Sequence, residues 1–127
     1  MQIENRKVSE MQSIIEVKAL TPKATAYAVS RHLSGKRKII LLSERPKTLS
    51  AELYSELEQA LDGEDTHITM PVITDLASAT RKSLLHCPDV IVIDTEHDLE
   101  PSALQAATEA AETNHLIVLA SNKGADK

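Results

Sequence analysis

Residues 89–93 read DVIVI, four apolar β-branched residues in succession behind a single acid. Such a run has no polar face, so the strand it predicts must be covered on both sides. Comparable runs flank it: SIIEVKAL at 13–20, KIILL at 38–42 and HLIVLA at 115–120. A weaker one, at 67–72, is interrupted by Pro71. Between these runs the apolar spacing is helical. Thr21-Pro22 opens a first helix, with Thr as N-cap and Pro at the first helical position. Ala26, Val29 and Leu33 form its inner face, and Gly35 is placed at its C′ position. Ser50 is placed as the cap of a second helix, with Glu52 in the first turn, Leu53, Leu57, Ala60 and Leu61 inward, and Gly63 at the end. A third, capped by Thr74 or Asp75, turns Leu76, Ala79, Leu84 and Leu85 inward and ends before Pro88. The fourth, at 102–113, is rich in Ala. Strands linked through helices run parallel, and right-handed crossovers place helices on both faces. The expected fold is α/β: three layers, with a mostly parallel five-stranded sheet between helices. Residues 1–12 read as a polar lead-in and 13–127 as one domain.

The 127-residue chain is long enough to bury its own core. Its aromatic share is 2%, with neither Phe nor Trp, so Leu, Ile, Val and Ala must build that core and no platform exists for stacking bases. A net charge of −5 argues against a nucleic-acid backbone as partner. The basic cluster Arg31, His32, Lys36, Arg37 and Lys38 reads as a solvated helix end facing the negative end of the dipole, with a local acidic partner as the alternative. Cys87 is alone, which fits a reducing compartment. The five histidines have no HxxxH spacing, which disfavours zinc. No apolar run approaches the ~20 residues of a membrane span. The start, with Glu4, Asn5, Arg6 and Lys7, is unlike a signal peptide. A cytoplasmic protein without direct membrane insertion is expected.

Ligands of open parallel sheets bind beyond the carboxyl ends of the strands, here residues 18–25, 43–46, 94–98 and 121–124. Between 77 and 118 the chain has Arg81 in a helix, Pro88-Asp89, the apolar strand, Asp98, an Ala-rich helix, and Glu112-Thr113-Asn114-His115-Leu116. In that order and spacing it resembles the segment of the type II/IV secretion and type IV pilus ATPases that runs from before Walker B to the histidine box. KIILLSERP, at 38–46, is similar to that family's acidic box. The likeness extends over roughly 14–124 and implies a truncated RecA-like P-loop NTPase core. It makes Lys23, Thr25, Glu44, Asp94, Glu96 and His115 the vestigial nucleotide-site candidates, with Asp94 the candidate magnesium ligand.

The departures bear on chemistry. Aligning Lys23 with the phosphate-loop lysine puts Val17 and Pro22 where glycines belong and Ala24 where a magnesium-binding hydroxyl belongs. Left-handed geometry costs an ordinary residue ~1–2 kcal/mol, and Pro22 cannot adopt it and has no N–H to offer. Thr25 carries a hydroxyl one residue late. Thr95 falls at the Walker B glutamate, and Glu96 reaches that place only with a one-residue shift. Arg45 replaces the acidic-box aspartate, and Asn114 and Asn122 replace a glycine and the second histidine. Three readings stay open. One is a non-hydrolysing scaffold or assembly partner bound to a secretion or pilus component, with no cofactor. Another is a minimal NTPase holding Mg-ATP through Lys23, Thr25, Asp94 and Glu96. The third is a small α/β binding or signalling module. A phospho-receiver would need carboxylates at strand ends occupied here by Lys18-Ala19-Leu20 and Met70-Pro71.

Overall fold

The computed structural model describes residues 14–19, 21–33, 35–95, 99–113 and 116–121. The lead-in at 1–12 lies outside them. Five strands alternate with four helices: β1 (Ile14–Lys18), α1 (Pro22–Ser30), β2 (Lys38–Ser43), α2 (Lys47–Ala60), β3 (His67–Thr69), α3 (Leu76–Ser83), β4 (Val90–Thr95), α4 (Pro101–Glu112) and β5 (Leu116–Ser121). The strands form one sheet in the order β1-β5-β4-β2-β3. Every pairing is parallel, so the "mostly" of the expectation becomes "entirely" among the described strands.

The order explains the layers. From β1 through β2 to β3 the chain steps across the sheet in one direction, and from β3 through β4 to β5 it steps back. Right-handed crossovers therefore put α1 and α2 on one face and α3 and α4 on the other. The two cores follow that division. Ile39, Leu41, Val90 and Val92 point to α1 and α2, where Val29, Leu33, Leu53 and Leu57 meet them. Ile40, Leu42, Ile91 and Ile93 point to the opposite face, against Leu76 and the Ala stripe 103, 107, 110 and 111. Large strand residues thus fill the space that a helix of methyl groups leaves open. Each buried Ile or Leu contributes ~1.5–3 kcal/mol, which lets the sheet cohere without aromatic rings. Of the two tyrosines, Tyr54 on α2 donates its hydroxyl to Ile68 O at 3.1 Å and ties that helix to β3, while Tyr27 is exposed.

Several local expectations need correction. Helix α2 begins at Lys47, not after Ser50, because Pro46 at φ −51° already supplies the entry geometry. Ser50 lies inside the helix, its hydroxyl donating back to Lys47 O at 3.0 Å. Leu85 faces solvent, not the core. The chain tightens after Ser83 into a 3₁₀ turn, Leu84–His86, and three residues per turn instead of 3.6 swing Leu85 off the inner stripe. Gly35 does take a left-handed φ of +80°, but α1 has ended at Ser30, so the glycine serves the turn into β2 and not the helix cap. The basic cluster also divides. Arg31 and His32 follow α1, whereas Lys38 begins β2 at the amino edge of the sheet.

Candidate functional site

Strand β2 lies between β4 and β3. The chain leaves β2 toward one face of the sheet and leaves both neighbours toward the other. That reversal opens a crevice at the carboxyl edge. A cleft of about 470 Å³ is found there, lined by Ser43, Glu44, Arg45, Pro46 and residues 73–75. A smaller recess of about 120 Å³ shares Glu44 and Asp75 with it and reaches Glu100 and Ser102 at the start of α4.

One wall of the cleft is Arg45, which is ion-paired to Asp94 behind it. Asp94 falls within β4, not in the loop beyond it, opposite Ser43 of β2. Period-two alternation turns it to the face of Val90 and Val92, where it is 0% exposed. Arg45 Nε donates to Asp94 Oδ1 at 2.8 Å, and Ser43 Oγ donates to Oδ2 at 2.9 Å. Arg45 Nη2 also donates to Thr95 O at 2.9 Å, and the Arg45 side chain keeps only 8% of its exposure. The amide of Glu44 donates to Asp94 O at 3.0 Å. A carboxylate this deep is tolerable only when paired and hydrogen-bonded. Arg45 therefore does at Asp94 what a bound cation would do: it neutralises the charge at the end of the strand.

At the other end of β4, Asp89 is exposed. Its Oδ2 accepts the amides of Arg37 and Lys38 at 2.8 and 3.0 Å, and its own amide donates to Lys38 O at 2.8 Å. The two accepted amides hold its carboxyl below the usual range. Asp75 caps α3 by accepting the amide of Ser78 at 2.8 Å, and that bond lowers its carboxyl in the same sense.

The phosphate-loop alignment falls on the turn from β1 to α1. The amide of Ala19 donates to Ser121 O at 3.1 Å, that of Ala24 to Thr21 Oγ1 at 3.1 Å, and that of Thr25 to Thr21 O at 2.9 Å. Pro22 has no amide hydrogen. Thr21 is extended at φ −114°, and no described residue of this turn has a positive φ. The αR–αL alternation of an anion-binding nest is thus not present in the described part of the turn. Thr25 is buried, with its hydroxyl donating to Thr21 O at 2.8 Å, while Lys23 is exposed in the first turn of α1. One strand, β5, separates β1 from β4, so Lys23 and Asp94 arise from strands ~10 Å apart.

The structure brings Asp94 and Glu44 to the same strand ends, with Glu44 lining the cleft. Glu96 and His115, and with them Asp98, Asn114 and Asn122, lie outside the described residues. Sequence reasoning missed the joint role of Ser43 and Arg45. The available signal was an Arg just after one fully apolar strand and an Asp at the end of another, two charges that each need a partner once those strands pair. Among the described residues no cluster of three or more His, Cys, Asp or Glu is placed to hold a metal ion, and no helix is long and apolar enough to cross a membrane.

No protein-family model matches the chain, and no curated protein matches it in sequence. A solved structure that resembles it is the ATPase DotB of Legionella pneumophila, at 12% identity and a TM-score of 0.45. The match covers 84% of this chain and 37% of that one.

Proposed function

We propose that this chain is a non-hydrolysing relative of the type II/IV secretion and type IV pilus ATPases that works by docking onto a component of a secretion or pilus assembly. The order of sequence features from Arg81 through Pro88-Asp89 to Glu112-Thr113 supports the family reading. The Arg45–Asp94 pair carries the non-hydrolysing reading. A magnesium ion at Asp94 would have to displace a buried guanidinium, and the carboxylate accepts a donor on each oxygen. The turn from β1 to α1 supports it from the other side, because the amides at 19, 24 and 25 are spent inside the fold. Among the described residues at the two places, Asp94 and the Thr25 hydroxyl are already engaged within the fold, which argues against magnesium and a nucleoside triphosphate there. The minimal-NTPase reading would require Asp94 to leave Arg45 and the Thr25 hydroxyl to turn out of α1.

Thermal unfolding measured across rising Mg-ATP is expected to be flat. A melting temperature that climbs with ligand concentration, together with phosphate release abolished by Lys23→Ala, would overturn the proposal. Docking is tested by affinity capture from cytosol of the native host. A stoichiometric secretion or pilus component is the expected partner, and recovery of abundant housekeeping proteins alone counts against it.

A further inference from the structure

The face carrying α3 and α4 is covered unevenly. Helix α3 has eight residues, ~12 Å of rise, against fourteen in α2 on the other face. Beside β3 this leaves a second cleft, of about 290 Å³, between β2, the loop after β3 and the end of α3. Its apolar lining includes Ile40, Ile73 and Ala79. Lys38, Lys82 and His86 also line it, and no Asp or Glu does, although the whole chain carries a net charge of −5. The Lys38 ammonium donates to His86 O, which holds it on the 3₁₀ turn. An ammonium has three donors, so this bond leaves it able to meet a carboxylate. Val72, another lining residue, is 99% exposed, and Leu85, on the same turn as His86, is 82% exposed.

We infer that this cleft receives one apolar side chain from an acidic segment of a protein partner, with carboxylates on either side of that anchor meeting Lys38 and Lys82. Charge selects the partner: bases without acids line an apolar recess in an otherwise acidic molecule. At about 290 Å³ the recess admits an aliphatic side chain and lies at the lower edge of the roughly 300–1,000 Å³ of small-molecule sites, so competition by a small carboxylate is the discriminating control. The flanking exposed Val72 extends the apolar contact beyond the recess. The inference rests on the docking half of the proposed function and is independent of the nucleotide half.

The probe is a fluorescent pentapeptide with one central leucine and two glutamates on each side, titrated into the full chain and read by anisotropy. Saturable binding is expected that weakens with added salt and falls by roughly fivefold or more in Lys82→Glu and in Val72→Asp. Both positions are exposed, and an unchanged melting temperature verifies that each variant is folded. The inference is overturned by absence of saturable binding, by equal binding of a control peptide with lysines in place of the glutamates, or by indifference to both substitutions. Octanoate competing as tightly as the peptide would make the cleft a small-carboxylate site and overturn it too. No nucleotide enters this assay, so its failure leaves the Mg-ATP melting result standing. Stabilisation by Mg-ATP would equally leave a positive peptide result standing.

Discussion

Strand β4 begins beside one aspartate and carries another near its end, and the two live in opposite circumstances. Asp89 is exposed and holds the amino edge of the sheet by accepting the backbone amides of Arg37 and Lys38, at the entry to β2. Asp94 is sealed at the carboxyl edge and is held by side chains, Arg45 and Ser43. The same residue type, five positions apart and bonded to the same neighbouring strand, is therefore a solvated clasp at one end and an ion-paired plug at the other. Water can replace what Asp89 loses, but Arg45 stands between Asp94 and the water of the cleft. Solvent access, and not the number of bonds, sets how much each contributes.

The difference predicts a ranking. Arg45→Ala strands a buried carboxylate and should cost ~3–5 kcal/mol, a large part of the ~5–15 kcal/mol that holds a domain together. Urea unfolding reads it as a midpoint moved far down. The double change Arg45→Met with Asp94→Leu removes both charges at similar volume and should recover most of that loss. If the double variant is as unstable as the single one, the pair is not the source of the cost. Asp89→Ala should lower stability by about 1 kcal/mol, since its hydrogen bonds are screened by solvent, and a loss equal to that of Arg45→Ala would erase the contrast.

Acid supplies the next test. The carboxyls of Asp89 and Asp75 sit lower in the fold than in the unfolded chain. The stability they give is complete above the unfolded carboxylate value of ~3.9. It is lost as pH falls through the folded values, because the unfolded chain takes up protons first. Urea midpoints should hold level above about pH 5 and fall below pH 4, with a shallower fall in Asp89→Asn. A wild-type slope retained in that variant would assign the acid limb elsewhere. The smallest effect is expected from Asp75→Ala, which frees the amide of Ser78 at the exposed start of α3. Amide exchange should quicken at Ser78 with little change in the global midpoint.

The strands were legible because burial on both faces writes itself as unbroken Ile, Val and Leu. The first cap was legible because Thr21-Pro22 satisfies two rules at once, and its side chain does accept the amide of Ala24. Ser50 misled because a serine that bonds back to its own helix has the same letter as one that starts a helix. Leu85 misled because a 3.6-residue period was carried into a turn that no longer had it. Strand order was not legible, since periodicity reports which residues are buried but not which strands are neighbours. The Arg45–Asp94 pair depends on that order: its members are 49 residues apart and meet only because β2 lies against β4. From sequence Arg45 counted as the loss of an acid, whereas in the fold it is the gain of a counterion.

The near absence of rings gives the molecule an unusual optical character. Tyr27 is exposed, so the larger share of the near-ultraviolet dichroism is expected from Tyr54, whose hydroxyl is bonded to Ile68 O. Collapse of that band ahead of the backbone signal would report the parting of α2 from β3. Backbone dichroism would follow the rest of the sheet, and a single unlabelled sample would show whether the β3 edge comes away before the centre melts.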